Sequence, residues 1–147
     1  MRVVVVGGGI VGSALTYRLA QAGAEVILLD AGRLGHGTTI TSFAWLNAGN
    51  KPPKHYHDLN VHGMAEYHTL AKELGNASWL NIIGNVEWDG GEGGGERLRQ
   101  KVERLREWGY PVELLQIGEL RYLEPDMVAP EHVEEFMAVC RKWDVLA

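Results

Sequence analysis

Gly7, Gly9 and Gly12 stand in the spacing G-x-G-x-x-G, and an acid, Asp30, follows 18 positions after Gly12. The pattern alone is weak. Its force comes from an apolar strand before it, a helix after it, and a second strand ending in the acid. Each residue type has a physical task. Gly7 allows the tight turn out of the strand. Gly9 offers no side chain, so a pyrophosphate can approach the backbone. Gly12 lets the helix pack closely on the sheet. Ile10 and Val11 stand at the helix N-terminus, whose free N–H groups and positive dipole end attract phosphate. Asp30 can accept hydrogen bonds from the adenosine ribose hydroxyls, and its charge repels a 2′-phosphate, which disfavours NADP. The chemistry is therefore capture of an ADP moiety. FAD and NAD both present one, and the spacing does not separate them.

These residues need a βαβ unit to hold them. Arg2 to Val6 is continuous and β-branched, the pattern of a buried parallel strand. Val11 to Ala22 places Leu15, Leu19 and Ala22 on one helical face, and Gly23 stops the helix. Glu25 to Asp30 is a second strand. Arg33 to Pro53 has little periodicity and reads as a long loop, the kind that binds ligands. A helix is expected from Asp58, as N-cap, to Leu74, with Leu59, Gly63, Tyr67, Leu70 and Leu74 on one face. Asn81 to Trp88 is strand material around a turn at Gly84-Asn85. Gly90 to Gly95 is a glycine-rich flexible connector, and Arg97 to Trp108 an amphipathic helix with Leu98, Val102 and Leu105 inward. Val112 to Leu115 is a short strand, and Ile117 to Leu123 a short helix that ends before Pro125.

Other groups invite chemistry and are set aside. His55, His57 and His62 lack a Cys or carboxylate set to complete a metal site and read as surface or loop histidines; no metal is expected. The run Gly90 to Gly95 lacks the phosphate-loop spacing and carries Glu92, with Glu96 following. The charged face of Arg97 to Glu107 reads as a solvated helix face. Cys140, the single cysteine, is given no role; it fits a reducing, cytoplasmic setting.

The composition bounds the remaining classes. The chain has 147 residues, 46% hydrophobic and 22% charged, the range of a folded globular chain, with a formal net charge of −5. That charge does not draw it to nucleic acid or anionic lipid. The apolar start at Met1 to Val6 is broken by glycines and then by Thr16-Tyr17-Arg18, which argues against a signal peptide. No stretch reaches the length of a membrane span.

The stretch Leu28-Leu29-Asp30-Ala31-Gly32-Arg33-Leu34-Gly35, followed by Gly37-Thr38-Thr39-Ile40-Thr41-Ser42-Phe43-Ala44-Trp45-Leu46-Asn47-Ala48-Gly49, resembles the D-amino-acid oxidase (DAO) superfamily of FAD enzymes. That superfamily includes glycine oxidase, sarcosine oxidase and D-amino-acid dehydrogenases. Ile83-Gly84-Asn85-Val86-Glu87-Trp88 is similar to its substrate-domain strand, and Leu120-Arg121-Tyr122-Leu123-Glu124-Pro125 to its "LEP" turn. The resemblance spans residues 1 to 128, and its first 50 are the specific part. It implies that Ala31, Gly32, Arg33, Thr38, Thr39, Thr41 and Ser42 lie along the FAD pyrophosphate and ribityl chain, and that Ala48 and Gly49 approach the flavin. Some relatives attach FAD through a His two residues before an Ala-Gly pair; Trp45 to Gly49 holds no His, which implies noncovalent FAD.

The fold expected is α/β: a Rossmann-like FAD-binding βαβ unit followed by the start of an α+β substrate domain, apparently truncated. The division expected is 1–78 for the partial FAD domain, 79–128 for the substrate-domain segment, and 129–147 for a tail in which the resemblance fades after Met127. The resemblance implies oxidation of the CH–NH group of a small amine or amino acid, by hydride transfer to flavin N5. The imine product then hydrolyses. No residue is identified as catalytic acid, base or carboxylate clamp, the electron acceptor is open, and the chain is expected to be an inactive fragment. Two alternatives stand beside this reading: an NAD-dependent dehydrogenase, or a non-enzymatic nucleotide-binding fragment.

Overall fold

A computed structural model of the chain describes residues 1–75, 78–139 and 145–146. The contacts divide it into two compact units, Met1–Phe43 and Ala44–Ala147, whereas the sequence reading draws its first boundary after residue 78. Cys140 and most of the tail after it lie outside the described residues.

The first unit is the expected βαβ. Strand β1 (Arg2–Val6) and strand β2 (Glu25–Leu29) pair in parallel, Arg2 opposite Glu25 through Val6 opposite Leu29. Helix α1 (Ile10–Gln21) crosses between them and stops where Gly23 takes a φ of 81°, a left-handed turn that glycine adopts without a steric penalty. The expected inward face of α1 is not buried: Leu15 is 49% exposed and no residue of the helix falls in the core. A two-stranded sheet is about 5 Å from strand to strand, and a helix with its side chains is about 10 Å across. The sheet is too narrow to cover the stripe.

The second unit contains strands β3 (Trp45–Leu46), β4 (Asn81–Ile82), β5 (Asn85–Glu87), β6 (Val112–Gln116), β7 (Glu135–Val139) and β8 (Val145–Leu146), with helices α2 (Lys54–Glu73), α3 (Gly94–Glu107) and α4 (Ile117–Leu123). One antiparallel sheet has the order β3-β8-β4, the other β5-β7-β6. Leu98, Val102 and Leu105 of α3 face inward as read, onto Tyr110, Val112, Met137, Ala48 and Met64. A second cluster joins Leu115, Leu120, Val133 and Phe136.

Four expectations need correction. Helix α2 begins four residues before Asp58, and its N-cap is Pro53. A residue before proline is pushed out of the helical region, so Pro52-Pro53 delays the helix and then releases it directly. Asp58 instead sits one turn in and accepts a hydrogen bond from Lys54 Nζ at 2.7 Å. The buried face of α2 is His57, Met64 and Ala71, while Leu59 and Leu74 are exposed. The glycine run is not a plain flexible connector. Gly94 already belongs to α3, Gly93 caps it with a φ of 69°, and Arg97 binds both oxygens of Asp89 at 2.8 Å. Finally, the tail supplies β7, the central strand of its sheet, where Phe136 and Met137 are fully buried.

Candidate functional site

The turn after β1 gathers most of the residues singled out from the sequence. Gly7 leaves the strand with a φ of 101° and donates its N–H to Leu29 O at 2.7 Å. That φ lies in the region where a Cβ is strained. A Cβ on Gly12 would overlap the carbonyl oxygen of Gly7 and lie 3.0 Å from its carbonyl carbon. Strand and helix therefore approach as closely as two backbones can, as the spacing predicts. Gly9 is the N-cap of α1, and a Cβ there would meet Thr39 Oγ1 at 3.0 Å.

Asp30 stands beside this turn. Its two carboxylate oxygens accept the N–H of Gly8 at 2.7 Å and the N–H of Gly32 at 2.8 Å. The Gly8 contact first, then that of Gly32, hold its carboxyl below the usual aspartate range; His36 adds to the effect and slight desolvation opposes it. Asp30 is therefore anionic through the neutral range and keeps free lone pairs for further donors.

The loop after β2 folds back onto the same turn. Thr39 Oγ1 accepts the N–H of Ile10 at 3.0 Å, and Gly35 donates to Gly8 O at 2.9 Å. Thr41 Oγ1 donates to Thr38 O at 3.1 Å, and Ser42 donates its N–H to Thr39 O at 3.2 Å. Ala31 and Arg33 are exposed. The N–H groups of Val11 and Gly12 find no acceptor among the described residues. Two open donors at the positive end of a 12-residue helix, next to side-chain-free backbone, can hold an anion such as a diphosphate.

Ala48 and Gly49 lie in the second unit, where both are buried. The sequence reading missed two participants. Gly8 is buried and a Cβ on it would collide with Leu34; the third consecutive glycine was the available signal. His57 is not a surface histidine: it is 1% exposed and its Nδ1 lies 2.8 Å from Ala48 O. His55 and His62 are exposed.

The family described as FAD dependent oxidoreductase (DAO) matches residues 2–139, past Met127, where the sequence reading let the resemblance fade. Anaerobic glycerol-3-phosphate dehydrogenase subunit A1 from Haloferax volcanii is 30% identical over 123 residues, 84% of this chain and 21% of that protein. Glycine oxidase from Bacillus subtilis is 33% identical over 81 residues, 54% of this chain and 22% of that protein. Among solved structures, glycine oxidase from Geobacillus kaustophilus aligns with a TM-score of 0.84 at 25% identity, over 99% of this chain and 40% of that one. An L-amino acid deaminase from Proteus vulgaris shares the fold, with a TM-score of 0.79 at 16% identity, over 97% of this chain and 37% of that one. The chain thus spans about a fifth of the length of the curated relatives it matches. No helix among the described residues is long and apolar enough to cross a membrane.

Proposed function

The chain belongs to the DAO family of FAD-dependent oxidoreductases, and from that premise we propose that it supplies the dinucleotide-binding start of an enzyme that oxidises the CH–NH group of a small amine or amino acid. The observation that supports this best is the turn at Gly7–Gly12, with Asp30 hydrogen-bonded to Gly8 beside open helix N–H groups. Those residues fit the ADP half of FAD. The N–H groups of Val11 and Gly12 would donate to the diphosphate, and Asp30 would accept from the ribose. Gly9 leaves the approach free of a side chain. Thr38, Thr39, Thr41 and Ser42 would order the loop beside the cofactor, and Ala48 and Gly49 are assigned to the flavin end by their resemblance to the family's Ala-Gly motif.

When bound, FAD would accept the hydride from the substrate carbon. The chain's own part is to bind and orient it. No His lies in Trp45 to Gly49, just before the Ala48-Gly49 pair, so attachment is proposed to be noncovalent. The division into 1–78, 79–128 and 129–147 stands as a proposal beside the two compact units. A second reading, oxidation of an alcohol, is favoured by the 30% identity to the glycerol-3-phosphate dehydrogenase subunit.

The experiment is a substrate panel on the whole protein that carries this chain, with an artificial electron acceptor and flavin absorbance as readout. Bleaching of bound flavin by amines or amino acids supports the first reading. Bleaching by glycerol 3-phosphate alone selects the second. Absence of bound flavin overturns both.

A further inference from the structure

His57 is a buried imidazole on the first turn of α2, and no step above uses it. Its ring packs 5.0 Å from the Trp108 ring at 52° and 5.1 Å from the Tyr110 ring at 83°. Its Nδ1 lies 2.8 Å from the carbonyl oxygen of Ala48. A carbonyl only accepts, so Nδ1 carries a hydrogen and donates it. The N–H of Ala48 in turn donates to the Tyr110 hydroxyl at 3.4 Å. Both polar groups of the Ala48 backbone are therefore held by aromatic side chains from the core of the second unit.

The carbonyl of Ala48 and the N–H of Gly49 belong to one peptide group. A trans peptide is planar, and its N–H points opposite to its C=O. By drawing the Ala48 carbonyl toward its own ring, His57 turns the Gly49 N–H the other way. That N–H finds no acceptor among the described residues, although Gly49 is buried. A buried donor without a partner is costly, and a ligand acceptor relieves the cost.

We infer that His57 is a positioning residue: it locks the Ala48–Gly49 peptide so that the Gly49 N–H is presented as a fixed donor to a heteroatom of the flavin ring, an inference that rests on the flavin reading of this segment. It touches neither cofactor nor substrate. Its work is to remove the freedom of one peptide plane before the cofactor arrives, which saves ordering cost on binding.

The test uses three variants of the whole protein that carries this chain. His57→Phe keeps the ring and its packing but loses the donor. His57→Asn restores a side-chain N–H at the reach of Nδ1. Tyr110→Phe removes the hydroxyl on Ala48 N–H and leaves the His57 contact. Amide exchange at Ala48 and Gly49 is read without flavin, and FAD affinity and the visible flavin spectrum are read by titration. His57→Phe is expected to speed exchange at these amides and weaken FAD by about five- to tenfold, the scale of one hydrogen bond. It is also expected to shift the flavin band, and His57→Asn should recover most of each change. Tyr110→Phe should speed exchange at Ala48 with a smaller effect on FAD. A lower melting temperature in His57→Phe, with wild-type FAD affinity and spectrum, would overturn the inference and leave His57 a packing residue. A wild-type whole protein that binds no FAD overturns the flavin reading itself, whereas unchanged exchange in His57→Phe overturns the hold on the peptide, so the two failures are told apart.

Discussion

Replacing Gly12 by alanine should damage the βαβ unit even though alanine is the better helix former. A Cβ at this position would overlap the Gly7 carbonyl oxygen and lie 3.0 Å from the Gly7 carbonyl carbon, with Val5 Cγ1 at 3.5 Å. The first two are backbone atoms and cannot rotate aside, so α1 must slide off β1. Overpacking of this kind costs about 1–3 kcal/mol, and alanine in a helix returns only about 1 kcal/mol of that. The clash involves backbone on both sides, so the cost belongs at the upper end and the net loss is about 1–2 kcal/mol. Gly63→Ala in α2 is the control: a Cβ there meets nothing within 4 Å, so the same chemical change should stabilise by about 0.5–1 kcal/mol. The assay must see the first unit. All five tryptophans, at 45, 79, 88, 108 and 143, lie after Phe43, so intrinsic tryptophan fluorescence is blind to it. Amide exchange at Val5 and Leu29 reports it directly, with about tenfold faster exchange for each 1.4 kcal/mol lost. Protection in Gly12→Ala equal to or above wild type would refute the close-approach argument.

Further outcomes follow from the same geometry. Asp30→Ala, in the whole protein, should weaken FAD by about ten- to a hundredfold, the range of a lost charge-assisted hydrogen bond; an unchanged dissociation constant sinks the ribose assignment. Gly9→Val forces a branched side chain against Thr39 Oγ1 and should abolish flavin retention while far-UV dichroism stays near wild type, and a yellow, stoichiometric preparation would refute it. The carboxyl of Asp89 is held below its ordinary value first by Arg97 and then by the Gly91 N–H. A depressed folded-state pKa means that its stabilising contribution is fully present above the unfolded value near 3.8 and is lost as pH falls through the lower folded value. A carboxyl NMR titration should find its midpoint below 3.8, and a midpoint at or above that value contradicts the clamp. Residues 1–147 expressed alone should give no turnover with amines, amino acids or glycerol 3-phosphate, because no described side chain is placed as a catalytic acid, base or carboxylate clamp; measurable turnover refutes this.

The first unit was legible because its signals are local. A strand, a glycine turn, a helix and an acid within thirty residues constrain one another, and β1, α1 and β2 fall within a residue of their expected ends. Partner-dependent features were not legible. The buried face of α2 follows from what packs on it: the exposed Leu59 and the buried His57 reverse the ranking that hydrophobicity gives them. The short β3 exists because β8, about a hundred residues later, pairs with it. The Asp89–Arg97 clamp was hidden because a glycine run looks alike whether or not a neighbouring carboxylate organises it. Within the site, the role of Asp30 as acceptor for two backbone N–H groups needed the fold of the loop after it, which periodicity does not reveal.

The order β5-β7-β6 places the last-made strand of that sheet in its middle. On the ribosome, β5 and β6 are complete at Glu87 and Gln116, yet neither has its sheet neighbour until Val139 has been added. At about 5–20 residues per second, the 23 residues after Gln116 take on the order of one to five seconds. During that interval two strand edges offer unpaired amides, and Leu115 lacks Phe136 as a packing partner. The β1–β2 pairing needs no residue beyond Leu29, so nascent chains pass through a period in which the βαβ unit has all its strands while the antiparallel sheet is open to chaperones or to misfolding.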